Sequence, residues 1–135
     1  MPLIKKIWGT RQRLLKTQQT EIDLLYLDKN TACSIHKHDS KINRFVLLSG
    51  EVRVKTDLGT KKLIVNESFD VEPPYVHQFI VDEDSVMIEL AFVKEGQIDD
   101  KDIHRQMQGG RFIDGKFYTL EQLKENNWLE YKNEK

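Results

Sequence analysis

Short apolar and alternating runs, separated by turn-forming residues, dominate the chain up to about residue 94. Glu21 to Leu27 reads as a strand, and Asp28-Lys29-Asn30 is a polar turn whose asparagine tolerates the left-handed conformation. A second strand carries Cys33 to His38. Arg44 to Leu48 and Glu51 to Lys55 then read as a hairpin joined at Ser49-Gly50. Asp57 to Thr60 turns, Lys62 to Val65 extends and Asn66 to Ser68 turns again. Pro73 and Pro74 interrupt pairing before the strand Val76 to Val81, and Asp82-Glu83-Asp84 forms a charged turn before the apolar run Val86 to Val93. Many short strands at near-even spacing, with little helical periodicity between them, predict an all-β sandwich or barrel.

The pattern changes after residue 95. Asp114-Gly115 is a hairpin signal, and Thr119 opens a helix to about Trp128, with Gln122 placed for a capping box. Leu120, Leu123 and Trp128 lie near one helical face, which the sequence expects to pack on the outside of the barrel or on a partner chain. The organisation expected is one domain over 1–135, with a barrel over about 20–94 and a C-terminal appendage over about 95–135.

Composition adds limits. The 135 residues are enough for one core and too few for two ordinary domains. A net charge of -1 offers no general attraction to nucleic acid or anionic membranes, and Lys5, Lys6, Arg11, Arg13 and Lys16 read as a solvated basic face. No apolar run reaches the ~20 residues of a membrane span, and no signal peptide is evident, so a cytoplasmic location is expected. The single cysteine, Cys33, reads as a small packed residue.

The chemistry concentrates on histidine. His36 and His38, two apart on a strand, project from the same face, and His77 lies on a later strand that could complete a three-nitrogen set. Three protein nitrogens with open positions left over is the pattern of a catalytic metal site. Alternation places Asn43, Phe45 and Leu47 inward, and Phe79 and Val81 with them. Tyr26, Tyr75 and Glu89 are the remaining polar candidates, with Tyr26 and Glu89 as possible proton carriers. Glu89, between Ile88 and Leu90, either faces solvent or serves inside, and solvent is the expectation because an unpaired buried carboxylate is unfavourable. His104 is expected to be exposed and outside the site.

These surroundings resemble the two signature motifs of the cupin superfamily. Its first motif runs glycine, five residues, His-x-His, three or four residues, glutamate, six residues, glycine. Asn30 stands at the leading glycine, His36 and His38 match, Asn43 takes the glutamate position and Gly50 closes the motif. Pro73, Pro74 and His77 resemble the second. The resemblance implies an RmlC-like jelly-roll barrel, and a divalent manganese, iron, zinc or nickel ion held by His36, His38 and His77 with Asn43 as a further donor. A narrower likeness, carried by Trp8-Gly9 and Asn66-Glu67-Ser68, is to type II mannose-6-phosphate isomerases and the C-terminal domain of mannose-1-phosphate guanylyltransferases. It implies a metal-dependent isomerase or epimerase acting on a carbohydrate or similar small metabolite. A non-enzymatic ligand-binding module and a three-histidine iron thiol dioxygenase stay open beside it, and a homodimer is expected, since pairing protects sheet edges.

Overall fold

The computed structural model describes residues 2–130, so residue 1 and residues 131–135 of the expected domain lie outside the described residues. Among the described residues, twelve strands form one curled antiparallel sheet, followed by a single short helix. Its spine is a pair of long strands, β6 (Ile42–Thr56) and β9 (His77–Phe92), antiparallel along their whole length from Ile42 opposite Phe92 to Thr56 opposite His77.

The expected hairpin at Ser49-Gly50 and the charged turn at Asp82 to Asp84 are therefore not reversals. Both lie inside continuous strands, at a bend where the register shifts between Leu47 and Val52. Gly50 sits at φ 94°, and a Cβ there would fall 2.1 Å from Ser85 Oγ and 2.5 Å from the Asp84 carbonyl. Ser85 Oγ accepts the Glu51 N–H at 3.0 Å and donates to the Glu83 carbonyl at 2.6 Å. A bulge of this kind bends the strands and lets one pair serve both sides of the curled sheet.

The remaining strands add to this spine. β3 (Thr20–Leu27) pairs with the C-terminal half of β9, while β4 (Thr31–Ala32) and β5 (Ile35–Lys37) pair with its first half. β7 (Gly59–Lys62) and β8 (Ser68–Val71) pair with β6. The sheet also begins earlier and ends later than the span 20–94. β1 (Leu3–Lys6) and β2 (Gly9–Lys16) continue it beyond β3, while β10 (His104–Met107) pairs with β5 and β11 (Gly110–Ile113) with β4. The C-terminal strands are thus part of the sheet.

The Asp114-Gly115 hairpin forms as expected, with φ 51° and 81°, and leads into β12 (Lys116–Thr119). Helix α1 (Leu120–Glu125) starts at the predicted capping box, Thr119 and Gln122, but stops short of Trp128. Leu123 is its fully buried anchor, and Trp128 instead stacks edge-on against Tyr118 at 5.2 Å. The core gathers Leu25, Phe45, Leu47, Val52, Val54 and Met87 from β3, β6 and β9, and Trp8 meets Phe79 edge-on at 5.4 Å.

Candidate metal centre

Three segments bring the histidines together. Within β5 only His36 turns inward, His38 follows just past the strand end, and His77 opens β9 directly opposite His36. The ring centroids are 4.3 Å apart for His36 and His77, 5.0 Å for His36 and His38, and 5.3 Å for His38 and His77. One nitrogen from each ring lies within 4.8 Å of the other two. All three side chains are buried.

Hydrogen bonds set two of the tautomers. His36 Nδ1–H donates to the Ser34 carbonyl at 2.9 Å, and His38 Nδ1–H donates to the Asp102 carbonyl at 2.5 Å. A carbonyl only accepts, so each Nδ1 carries the proton and each Nε2 keeps its lone pair. Burial first, and then the neighbouring imidazoles, push His36 down to about 3 and His77 down to about 4. Burial also lowers His38. The set is therefore neutral at pH 7, the form that ligates a metal. His38 Nε2, both ring nitrogens of His77 and Asn43 Oδ1 are buried without a hydrogen-bond partner. Orphaned polar atoms of this kind are unfavourable unless something satisfies them, and a divalent cation would take the free lone pairs. The residues fit the metal that the sequence predicts.

Asp102 supports this arrangement, and nothing in the sequence signalled it. Its buried carboxylate accepts the backbone N–H groups of Asp39 at 2.6 Å, Ser40 at 3.0 Å and Lys41 at 3.2 Å, fixing the turn after His38. His104 is exposed as expected, and its Nε2 lies 2.8 Å from Asp39 Oδ2.

Glu89 corrects the sequence reading. It shares the inward face of β9 with Met87 and Ala91, because Asn43 gives it a partner: Asn43 Nδ2 donates to Glu89 Oε2 at 2.7 Å. Burial raises the Glu89 pKa, and the Asn43 bond opposes that rise. Asn43 thus spends its N–H on Glu89 and leaves its oxygen free. Two residues along, Phe45 closes the floor, its ring 6.1 Å from His77 and 6.4 Å from Phe79. Leu47 is fully buried in the core.

Both tyrosine candidates fall outside the centre. Tyr26 is 44% exposed, because strand alternation gives the inward positions to Leu25 and Leu27. Tyr75 is 40% exposed and lines a separate groove of about 390 Å³ with Leu58 and Phe69. Cys33 is buried, its thiol pushed up by burial, and its sulfur accepts the Phe79 N–H at 3.2 Å, as a packed residue would.

The basic cluster also needs correction. Lys5 and Lys16 face solvent and make surface pairs with Glu130 and Asp100, but Arg13 turns inward. Its guanidinium pairs with Asp23 at 2.5 Å and Glu21 at 2.9 Å, two buried carboxylates of β3. Arg11 lies on the same face of β2, its Nε buried without a partner. These charges were unreadable as interior because strands with polar inward residues lack the usual alternation.

The bent central pair, the short strands stacked on both its halves and the inward histidines define a double-stranded β-helix of the cupin type. KdgF from Halomonas sp. matches with a TM-score of 0.64 over 70% of this chain and 88% of that one, at 15% identity. An RmlC-like cupin from Shewanella frigidimarina gives 0.63 over 70% and 85%, at 21% identity. A variant of Streptomyces PAC13 with uridine gives 0.66 over 79% and 85%, at 6% identity. At these identities the likeness shows the fold alone. No family model and no curated protein matches the sequence.

Proposed function

We propose that this protein is a metal-dependent cupin that isomerises or epimerises a small hydroxylated, carbohydrate-like metabolite. The observation that carries the reading is the convergence of three neutral, buried imidazoles, with an inward carboxylate of raised proton affinity on the strand that carries His77. His36, His38 and His77, with Asn43 Oδ1 as oxygen donor, would hold a divalent ion, and that ion would supply Lewis-acid polarisation of a substrate carbonyl or hydroxyl. Glu89 takes a proton from the carbon beside that group and returns it to the neighbouring position or the opposite face. Burial suits it to this task, since a general base works best with a pKa near the operating pH. The Asn43 N–H steadies the carboxylate, and Phe45 and Phe79 form an apolar floor that limits water. The uridine in the Streptomyces PAC13 structure, a ribose-bearing ligand, agrees with a hydroxylated occupant.

A second reading, the three-histidine iron dioxygenase, draws on the neutrality of the Asn43 donor. Metal analysis of purified protein beside a His36→Ala, His38→Ala variant separates these ideas. Metal in the wild type alone, no oxygen uptake with thiols, and proton exchange at a sugar carbon support the isomerase. Equal metal content in both proteins would sink it. Glu89→Gln is expected to keep the metal and lose about 10²- to 10⁴-fold in rate.

A further inference from the structure

We propose that Lys6, Arg11 and Arg105 form a subsite for an oxyanion, a phosphate or carboxylate, carried by the molecule that occupies the three-histidine centre. The proposal rests on the reading of that centre as a substrate site and names the charge its substrate bears.

Strand register sets the three cations around the centre. Ile4 stands opposite Arg11 and Lys6 opposite Gly9, so Lys6 and Arg11 share one face of the β1–β2 ribbon. Arg105 stands opposite His36 on β10, which places it on the face of β5 that presents the imidazole. A cavity of about 570 Å³ is lined by Lys6, Trp8, Ser34 and Arg105 among others. It abuts the centre, since Ser34 Oγ is 2.9 Å from His36 Nδ1.

Lys6 and Arg105 line this cavity, whereas Arg11 lies outside its lining and joins them through the ribbon face it shares with Lys6. Lys6, Arg11 and Arg105 form no ion pair among the described residues, whereas Arg13 takes two carboxylates at once. The acids are already engaged: Glu130 of the cavity lining by Lys5, Glu21 and Asp23 by Arg13, and Glu89 by Asn43. Arg11 is the decisive member, because its Nε–H is buried and lacks an acceptor. A guanidinium N–H removed from water calls for an oxygen, and the fork geometry of arginine suits phosphate and carboxylate alike. Burial, followed by the proximity of Arg11 and Arg105, holds the Lys6 ammonium below its usual value. An anion between these groups would relieve that repulsion.

The test titrates inorganic phosphate and, separately, acetate into the chelator-treated full chain, followed by amide NMR shifts. Variants are Arg11→Gln, Lys6→Gln with Arg105→Gln, His36→Ala with His38→Ala, and Lys61→Gln as a distant control, each checked for fold by circular dichroism. Binding is expected to weaken about tenfold or more in the Arg11 variant and in the exposed double variant. It should persist in the histidine variant and the control. A preference for phosphate assigns a phosphorylated substrate, and a preference for acetate a carboxylated one. The proposal falls if neither anion binds, if both cationic variants bind as the wild type does, or if binding vanishes only with the histidines. Persistence in the histidine variant keeps this result separate from metal loading, which tests the centre itself.

Discussion

Replacing Asn43 by leucine removes the N–H that Glu89 accepts at 2.7 Å and leaves a carboxylate inside the sheet without a partner. A loss of about 1–3 kcal/mol in urea-unfolding stability is expected, with metal content also reduced if Asn43 Oδ1 is a ligand. The histidines give a pH dependence of definite sign. His36 and His77 fall from an ordinary value of 6.5 to about 3 and about 4, so between those limits the unfolded chain binds more protons. Chelator-treated protein should therefore lose stability as pH falls from 6.5 toward 3, each histidine withdrawing up to about 1.4 kcal/mol per pH unit. Glu89 acts in the opposite sense: its raised value favours the folded state at low pH, and that contribution fades as pH rises through it. Urea titrations at pH 7, 6 and 5 check the balance, and substituting glutamine at His36 and His77 should flatten the slope. The pairing of His36 with His38 was legible because two-residue spacing on extended chain gives a shared face, while His77 joins them through the β5–β9 register. Glu89, Arg11 and Arg13 were not, because what draws a charge inward is a partner on another strand, and linear order does not show that partner.

At the scale of elements, the decisive feature is the bend shared by β6 and β9. Gly50→Ala would drive a Cβ to within 2.5 Å of the Asp84 carbonyl at a φ of 94° that alanine rarely adopts. A loss of at least about 2 kcal/mol is expected, read as a lower urea midpoint. Ser85→Ala should cost about 1 kcal/mol by removing the hydroxyl that holds Glu51 and Glu83. The sequence marked the glycine but not its use, since a break in alternation reads equally as a reversal or a bulge. Capping and hairpin signals fared better: Thr119 with Gln122 and Asp114 with Gly115 act within a few residues, so their meaning is local.

For the molecule as a whole, the fold was legible through many short strands and two in-register motifs, but its extent was not. β1, β2, β10 and β11 complete the sheet through pairings whose partners are far apart in sequence. Because the ligands come from separate segments, metal should stabilise the entire chain. At a hundredfold excess of metal over Kd the gain is about 2.7 kcal/mol, a rise in Tm on the order of 10 °C. Calorimetry with and without chelator measures it, and an unchanged Tm would count against the centre.

β10 covers the strand that carries His36, and the Asp102 carbonyl that orients His38 lies just before it. During synthesis, then, the three imidazoles leave the ribosome well before the residues that orient and cover them. Until that late segment arrives, His38 is free to present either ring nitrogen. The three-nitrogen set therefore takes its final form only after residues 102–107 have emerged and β10 has paired with β5.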